Sequence, residues 1–484
     1  MSVRNTVKSI QNVMRQDTGV DGDAQRISQL CWMFFLKIID DQDQELELLD
    51  AKYRSPIPKR FRWRVWAADP EGITGEALMT FVNNELFPAL KELAAAGAGD
   101  RRRVVKDVFE DAYNYMKSGQ LMRQVINKIN EVDFNNLAER QHFGDIYEQI
   151  LNDLQSAGNA GEYYTPRAVT AFMTDLIDPR PGEVLLDPAC GTGGFLTSAI
   201  RQMRHRYVKT VEDEQRMQEG LRAVEKKQLP HMLCVTNMLL HNIHDPSFVR
   251  HDNTLARPYI SYTASDRVDV VLTNPPFGGR EEDGIESNFP KQFQTRETAD
   301  LFLALIIRLL RPGGRAAVVL PDGSLFGEGV KTRLKEHLIE ECNLHTIVRL
   351  PNSVFKPYAS IGTNLLFFEK GEPTRDIWFY EHQVIEGQKA YSMTKPIRVE
   401  YLKPCVDWWG GARREGRVES EVAWRVTSAE VKARGYNFDF KNPHTVANDH
   451  GDPEELLRKL DEAEKEAATL RDQLRTILAE ALLR

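Results

Sequence analysis

Apolar residues near the start of the chain recur at the spacing of an amphipathic helix. They fall at three- and four-residue steps, which place them on one helical face: Ile27, Leu30, Cys31, Phe34, Phe35 and Ile38. A bend at Ser55–Pro58 and a Gly/Ala/Arg stretch at 94–103 interrupt the pattern, and no clear alternation of strands and helices accompanies it. The pattern predicts a helical N-terminal domain over residues 1–140.

From about residue 180, short apolar runs alternate with helical segments. The runs predict strands at Glu183–Asp187, Leu221–Glu225, Val268–Asn274, Gly314–Pro321, His345–Pro351 and Thr363–Glu369. Helices are predicted between them, notably at Gly194–Arg206, Pro230–Asn242 and Ala299–Leu310. This alternation is typical of a doubly wound α/β sheet, here assigned to a catalytic domain over 141–380. Only 352–362 separates the last two strands, which favours an antiparallel hairpin at the sheet edge.

The end of the chain carries a heptad pattern. Residues 381–450 mix tryptophan, glycine and charge, and predict an irregular region. Beyond it, apolar residues recur in four- and three-residue steps: Leu456, Leu460, Ala463, Ala467, Leu470, Leu474, Ile477 and Ala481. The narrow apolar seam and charged flanks favour a partner-docking helix over 451–484, although a helix packed on its own domain would share the pattern.

Composition narrows the class of protein. The 484 residues carry a net charge of −8, and no third of the chain is basic. The most apolar stretch, Leu301–Leu310, is too short to span a membrane. The N-terminus is polar, and the five cysteines form no C-x-x-C pair. These features predict a reducing, cytoplasmic compartment and no membrane partner.

A glycine-rich turn follows the first predicted strand of the sheet. The sequence Asp187-Pro-Ala-Cys-Gly-Thr-Gly-Gly194 gives strand, glycine turn and helix, the way a backbone approaches a nucleotide-like ligand. The spacing is G-x-G-G rather than the dinucleotide G-x-G-x-x-G. Asp187 would repel a pyrophosphate and attract a sulfonium or ammonium group. The motif therefore favours S-adenosylmethionine over NAD, with a purely structural turn as the alternative.

A second motif, Asn274-Pro275-Pro276-Phe277, ends the strand that begins at Val268. The prolines fix the backbone so that the Pro275 carbonyl and the Asn274 side-chain oxygen can converge. Both are acceptors and could hold an exocyclic amino group, while Phe277 could stack on a base. An ordinary loop is the alternative, but the motif shares a predicted sheet with Asp187.

Together the two motifs resemble the amino-methyltransferases that act on N6 of adenine. The wider pattern resembles the modification (methylase) subunit of type I restriction–modification systems. Other stretches carry the likeness: 161–167, with Tyr163 where phenylalanine is common, 223–227, 236–241, 320–323, 436–439 and 442–444. The resemblance covers nearly the whole chain, is most specific at 160–330, and implies a Rossmann-like S-adenosylmethionine-dependent methyltransferase domain with a helical N-terminal domain and a C-terminal helix.

The resemblance also implies roles for residues. Asn274, Pro275, Pro276 and Phe277 would be catalytic on a flipped-out adenine. The cofactor-binding residues would be Glu162, Tyr163, Tyr164, Thr165, Pro166, Arg167, Asp187, Gly191, Thr192, Gly193, Gly194 and Glu225. The 162–167 segment would close over the cofactor, and Thr165 could cap a helix that starts at Pro166. Glu225 would accept the ribose hydroxyls, with Asp252 near the adenine.

The implied partners are DNA, a specificity subunit, a second copy of the methylase subunit and, for cleavage, a motor-nuclease subunit. The chain has no G-x-x-x-x-G-K-[ST] loop and supplies no ATPase of its own. Because charge is spread evenly, we expect a partner to make most phosphate contacts. Two alternatives remain open: a methyltransferase for protein glutamine or RNA bases, and a non-catalytic scaffold that binds S-adenosylmethionine.

Three further segments are assigned structural roles. The histidines at 231, 241, 244 and 251 lack a matching cysteine or acid, so no metal site is predicted. Residues Lys59–Trp66 alternate basic and aromatic side chains. They favour an edge strand with a buried aromatic face, with a DNA or partner surface as the alternative. Glu281–Gly284 is predicted to be a solvated loop over the target site.

Overall fold

The structure is a computed structural model. It describes residues 3–95, 100–136, 143–144, 147–148, 164–356, 361–392 and 394–444, together with 458, 460–461, 464–465 and 467–474. Compactness divides the chain into one unit of residues 1–441 and a second of residues 442–484.

The N-terminal part of the first unit is helical, as predicted. Its helices are α1 Val3–Met14, α2 Asp23–Leu49, α3 Trp63–Trp66, α4 Gly75–Thr80, a π-helix Phe81–Leu86, α5 Phe87–Lys91, α6 Arg101–Phe109 and α7 Gly119–Ile129. The predicted apolar face of α2 is buried in the core, with Phe34 and Phe35 almost fully inaccessible. Ring contacts from Phe34 to Phe134 and Phe143 extend this core toward the catalytic part of the unit.

A nine-stranded sheet forms the rest of the unit. Its strands are β1 Leu185–Asp187, β2 Leu221–Glu225, β3 Val249–His251, β4 Val268–Thr273, β5 Leu310–Pro321, β6 Cys342–Leu350, β7 Thr363–Lys370, β8 Asp376–Glu381 and β9 Ala423–Thr427. The helices are α8 Arg167–Ile177, α9 Gly194–Arg206, α10 Val211–Glu219, α11 Gln228–Leu240, α12 Thr298–Leu309, α13 Asp322–Phe326, α14 Val330–Glu341, α15 Lys403–Trp408 and α16 Ser428–Ala433.

The strand order is β3-β2-β1-β4-β5-β7-β6-β8-β9; β1 to β5 are parallel to one another, and β7 runs antiparallel to β5. Successive residues of β1 and β4 pack on opposite faces, as the two-residue period of a strand requires. Leu185 and Val270 join one apolar cluster, whereas Leu186 and Val271 join the other. The sheet is thus covered on both faces, which confirms the doubly wound α/β class.

The predicted hairpin is only partly correct. Strands β6 and β7 are antiparallel, as expected, but β7 lies between β5 and β6. The sheet then continues through β8 and β9, so the hairpin is not at the edge. The sequence pattern did not predict either of these strands, because neither shows a long apolar run. Trp378 of β8 contacts Trp408 of α15, and Trp424 of β9 stacks on Phe379 of β8.

The basic and aromatic segment Lys59–Trp66 is not a strand. It forms a 3-10 turn at Lys59–Phe61 followed by α3, and the rings of Trp63 and Trp66 are buried against each other. Its arginines pair with acids: Arg60 with Glu85, Arg62 with Glu47, and Arg64 with Asp40 and Glu47. The basic and aromatic side chains of this segment therefore connect helices of the N-terminal part, and the strand prediction is wrong.

In the second unit, the described residues 458, 460–461, 464–465 and 467–474 are helical. Three leucines of the predicted heptad seam, Leu460, Leu470 and Leu474, are more than half exposed. Leu456, Ala463, Ile477 and Ala481 lie outside the described residues. In the part of the chain that the structure describes, no helix combines the length and the apolar character that crossing a bilayer requires.

Candidate active site

A cavity of about 270 Å³ lies where β1, β2 and β4 end. These are the carboxyl ends of parallel strands, and the chain order reverses between β1 and β4, the usual ligand position in open α/β sheets. Eight of the predicted site residues line it: Thr165, Asp187, Gly191, Thr192, Gly194, Glu225, Asn274 and Pro276. The two motifs, 87 residues apart in sequence, therefore share one site.

The glycine turn enters the cavity between β1 and α9. The Gly191 N–H donates to the Glu225 carboxylate at 2.9 Å, and the Cys190 N–H donates to the Val224 carbonyl at 3.0 Å. Gly193 has a φ of +83°, and a Cβ there would lie 2.9 Å from the Cys234 Sγ. Only glycine fits this position, because the left-handed backbone and the contact with α11 both exclude a side chain.

Two buried carboxylates face the turn. Asp187 and Glu225 are 1% and 7% exposed. Burial raises the pKa of Asp187 to about 7, and the nearby Glu225 adds to the shift. Burial also raises the pKa of Glu225, while backbone N–H groups of Lys227 and Gly191 oppose that shift. A bound cation or hydroxyl donor would stabilise the ionised forms of these two buried carboxyl groups.

The loop after the second motif does not match its prediction. The prediction of a solvated loop is wrong at Glu281, because its side chain is 8% exposed and lines the cavity. It pairs with Lys226 at 3.0 Å and accepts hydrogen bonds from Asn253 and Thr298 at 3.3 Å. These partners come from distant segments, and no local sequence signal connects them. Glu282 and Asp283, in contrast, are exposed as expected.

Asn274 stands at the end of β4 beside this loop. Its Nδ2 donates to the Thr165 Oγ1 at 3.0 Å. Its Oδ1 is buried, and none of the described residues offers it a hydrogen-bond donor. Pro275 is buried, and Phe277 is half-buried with its ring 5.9 Å from that of Phe355. The motif thus carries an unsatisfied acceptor at the wall of the cavity.

The residues before α8 do not form the predicted helix cap. The helix begins at Arg167, and Pro166 holds the cap position without a side-chain cap bond. Thr165 is therefore not a helix cap, and its hydroxyl bonds Asn274 instead. Tyr164 is buried in the core beneath the Arg167 guanidinium, 4.8 Å from the ring centre. Glu162 and Tyr163 lie outside the described residues.

A buried network behind the cavity was missed by sequence reasoning. Arg167 forms an ion pair with Glu148, and a Cβ on Gly194 would collide with its guanidinium. Asn237, on α11, donates to Glu148 at 2.9 Å and to the Thr192 carbonyl at 3.0 Å. Burial opposes ionisation of Glu148, but Arg167 and Asn237 hold its pKa below the usual value. The network ties the glycine turn to α8 and to Glu148.

Three of the four histidines, His231, His241 and His251, each contact a backbone carbonyl. His231 is buried, contacts the Val249 carbonyl and stacks on His251, whereas His241 bonds the Asn237 carbonyl. Burial lowers the pKa of both His231 and His241 to about 4. Within the residues that the structure covers, no group of three histidine, cysteine or acidic side chains could hold a metal ion.

Comparison with known proteins identifies the family. The N-6 DNA methylase profile matches residues 138–451, and the HsdM N-terminal domain profile matches residues 3–129. The methylase subunit of the type I restriction enzyme EcoEI from Escherichia coli is 58% identical over all of this chain and 99% of its own length. The chain belongs to the methylase subunits of type I restriction enzymes. It is thus an enzyme of the N6-adenine DNA methyltransferase family.

Solved structures agree with this methylase assignment. A modification subunit of a type I restriction enzyme from Vibrio vulnificus matches with a TM-score of 0.79 and 42% identity, over 92% of this chain and 97% of its own. A chain from a structural study of complex assembly in the type I R-M system matches with a TM-score of 0.83 and 35% identity, over 99% and 98%. Both matches extend beyond the sheet to the helical N-terminal part.

Proposed function

We propose that this methylase subunit transfers a methyl group from S-adenosylmethionine to N6 of a flipped-out adenine in DNA, acting with a separate specificity subunit. The observation that supports the proposal is the buried, unpartnered Oδ1 of Asn274. A buried acceptor without a donor costs about 1–3 kcal/mol, so its presence points to a donor supplied by the substrate. An exocyclic amino group is such a donor.

The residues present fit S-adenosylmethionine. Asp187 offers a carboxylate to its cationic part, and Gly191 to Gly194 leave the turn free of bulky side chains. Glu225 has lone pairs left for ribose hydroxyls, and Asp252 lines the cavity beside it. When bound, the cofactor supplies an electrophilic methyl group. Cofactor binding by Thr192 and Glu225 is part of the same proposal.

In this proposal, the protein acts by holding and desolvating the adenine amino group. Asn274 Oδ1 accepts one N–H, and the Pro275 carbonyl accepts the other. Hydrogen bonds from both N–H groups to these acceptors make the nitrogen lone pair available for attack. The nitrogen would gain the methyl carbon as that carbon's bond to the sulfonium sulfur breaks, and would then lose one proton to solvent. Phe277 stacks on the base, which has left the duplex. Rate then comes from positioning, and no covalent enzyme intermediate is needed.

Cofactor affinity should depend on pH through Asp187. Its pKa of about 7 means that the carboxyl is protonated at pH 6 and ionised at pH 8. Only the ionised form attracts a cation, so the affinity for S-adenosylmethionine should rise with pH through 7 and level off above it, falling about tenfold per unit well below pH 7. Calorimetry at several pH values measures this. The Asp187→Asn variant is the control. Any pH dependence that comes from titration of the ligand itself should remain in this variant, whereas the change in affinity that Asp187 causes should disappear.

Gly193→Ala should weaken cofactor binding. A left-handed alanine costs about 1–2 kcal/mol, and contact with Cys234 pushes the turn away from α11. We expect the dissociation constant for S-adenosylmethionine to rise about tenfold or more. Gly313→Ala is the matched control, because it has φ +79° but open space. It should cost stability and leave cofactor affinity unchanged; equal affinity in both variants would contradict the proposed turn.

The partners are proposed from the same family. We propose that two methylase chains join one specificity subunit, and that a motor-nuclease subunit joins them for cleavage. We also propose that the C-terminal helix docks a partner. The exposed Leu460, Leu470 and Leu474 support this docking, because burying an apolar seam in an interface is favourable in free energy.

Purified chain with its specificity subunit should methylate DNA, but not RNA or protein glutamine. Methylation of RNA or protein alone would favour the alternative methyltransferases, and no transfer at all would favour a scaffold.

A further inference from the structure

The hydroxyl of Thr165 lies beside the catalytic motif and not in a helix cap. Thr165 and Asn274 are 109 residues apart, yet the Asn274 Nδ2 donates to the Thr165 Oγ1 at 3.0 Å. Both residues line the same cavity. The resemblance alone placed Thr165 among the cofactor-binding residues. Its one side-chain bond in the described structure points to a different partner.

We propose that Thr165 is a positioning residue that orients the Asn274 carboxamide for the target amino group; this rests on the proposed function. A carboxamide has a donor end and an acceptor end. With its donor end bound to Thr165, the acceptor end stays free, and it is the buried Oδ1 that lacks a donor in the described residues. In the reverse orientation, the Asn274 NH₂ group would face the target amino group, so that two donors would meet without an acceptor.

The neighbours of Thr165 make it a firm anchor. Tyr164 on one side is buried beneath Arg167, which pairs with Glu148. Pro166 on the other side leads directly into α8 with its own φ restricted by the ring. A short side chain between two fixed residues loses little freedom on bonding. Catalytic side chains supported in this way keep a productive geometry before the substrate arrives.

The variants Thr165→Val and Thr165→Ser separate this role from cofactor binding. Valine keeps the shape and removes the hydroxyl, whereas serine keeps the hydroxyl. The methylase subunit is assembled with its specificity subunit, and single-turnover methyl transfer to duplex DNA is measured with the KM for S-adenosylmethionine. We expect Thr165→Val to slow transfer about tenfold to a hundredfold, with KM within about threefold of wild type, because a lost bond to a positioned group acts on kcat. Thr165→Ser should restore most of the rate.

Three outcomes would overturn the inference. They are an unchanged rate in Thr165→Val, a raised KM with an unchanged rate, and a Thr165→Ser variant as slow as Thr165→Val. Thermal unfolding of each assembly shows whether valine has simply destabilised the fold, and a rate loss that tracks a lowered melting temperature also counts against the proposal. A wild-type assembly that methylates no adenine would instead refute the proposed function, so the two failures are distinct.

Discussion

Asn274→Ala should reduce methyl transfer by about 10²–10³-fold while leaving the dissociation constant for S-adenosylmethionine within about threefold of wild type. The size follows from removing one positioned hydrogen-bonding group from a desolvated site. Cofactor binding should survive because Asp187, Glu225 and the glycine turn are supplied by other strands. Transfer is measured in a single turnover on duplex DNA, and cofactor binding by calorimetry.

Asn127→Ala is the matched control for this variant. Asn127 lies on α7 and its amide bonds only the Pro70 carbonyl among the described residues. The same change of side chain there should leave methyl transfer near the wild-type rate. If Asn274→Ala retained a comparable rate, Asn274 would not hold the target nitrogen. If it lost cofactor binding instead, the acceptor role would be wrong and the residue would belong to the cofactor site.

Arg167→Met should lower the free energy of unfolding by about 3 kcal/mol, since it leaves the mostly buried Glu148 without its cation. Loss of this ion pair should also destabilise the glycine turn, because Asn237 links Glu148 to the Thr192 carbonyl. Cofactor affinity should therefore fall together with stability. Urea unfolding followed by circular dichroism gives the first quantity, and calorimetry gives the second.

Two further variants show whether the buried charge is the cause. The double variant Glu148→Gln with Arg167→Met removes both charges and should be more stable than Arg167→Met alone. Arg206→Met breaks a more exposed pair with Asp175 and Asp178 and should cost less than about 1 kcal/mol. A double variant less stable than Arg167→Met would mean that packing, rather than an unpaired carboxylate, accounts for the loss.

Much of the sheet was predictable because its inner strands are continuous apolar runs with polar ends. Strand β2 and helix α9 have the predicted bounds, and β1 and β4 end where the motifs begin. Strand β3 was missed, since three residues at 249–251 give too short a pattern. The position of β7 was misjudged because chain spacing fixes the pairing of β6 and β7 but not which strand neighbours β5.

The site was predictable where one local sequence carries the chemistry. Asp187, Gly191 and Asn274 belong to such motifs, and the structure brings them to one cavity. The bond from Asn274 to Thr165 and the contacts of Glu281 with Lys226 and Thr298 were not predictable. Those pairs meet only through tertiary packing, so neither partner carries a sign of the other in the sequence around it.

The central claim is tested most directly by mapping N6-methyladenine across the genome of the host. Three strains are compared: one with the gene, one without it, and one carrying Asn274→Ala. We predict N6-methyladenine at one defined sequence in the first strain and its loss in the other two. Methylation that persists without the gene, or that survives unchanged in the Asn274→Ala strain, would contradict the account.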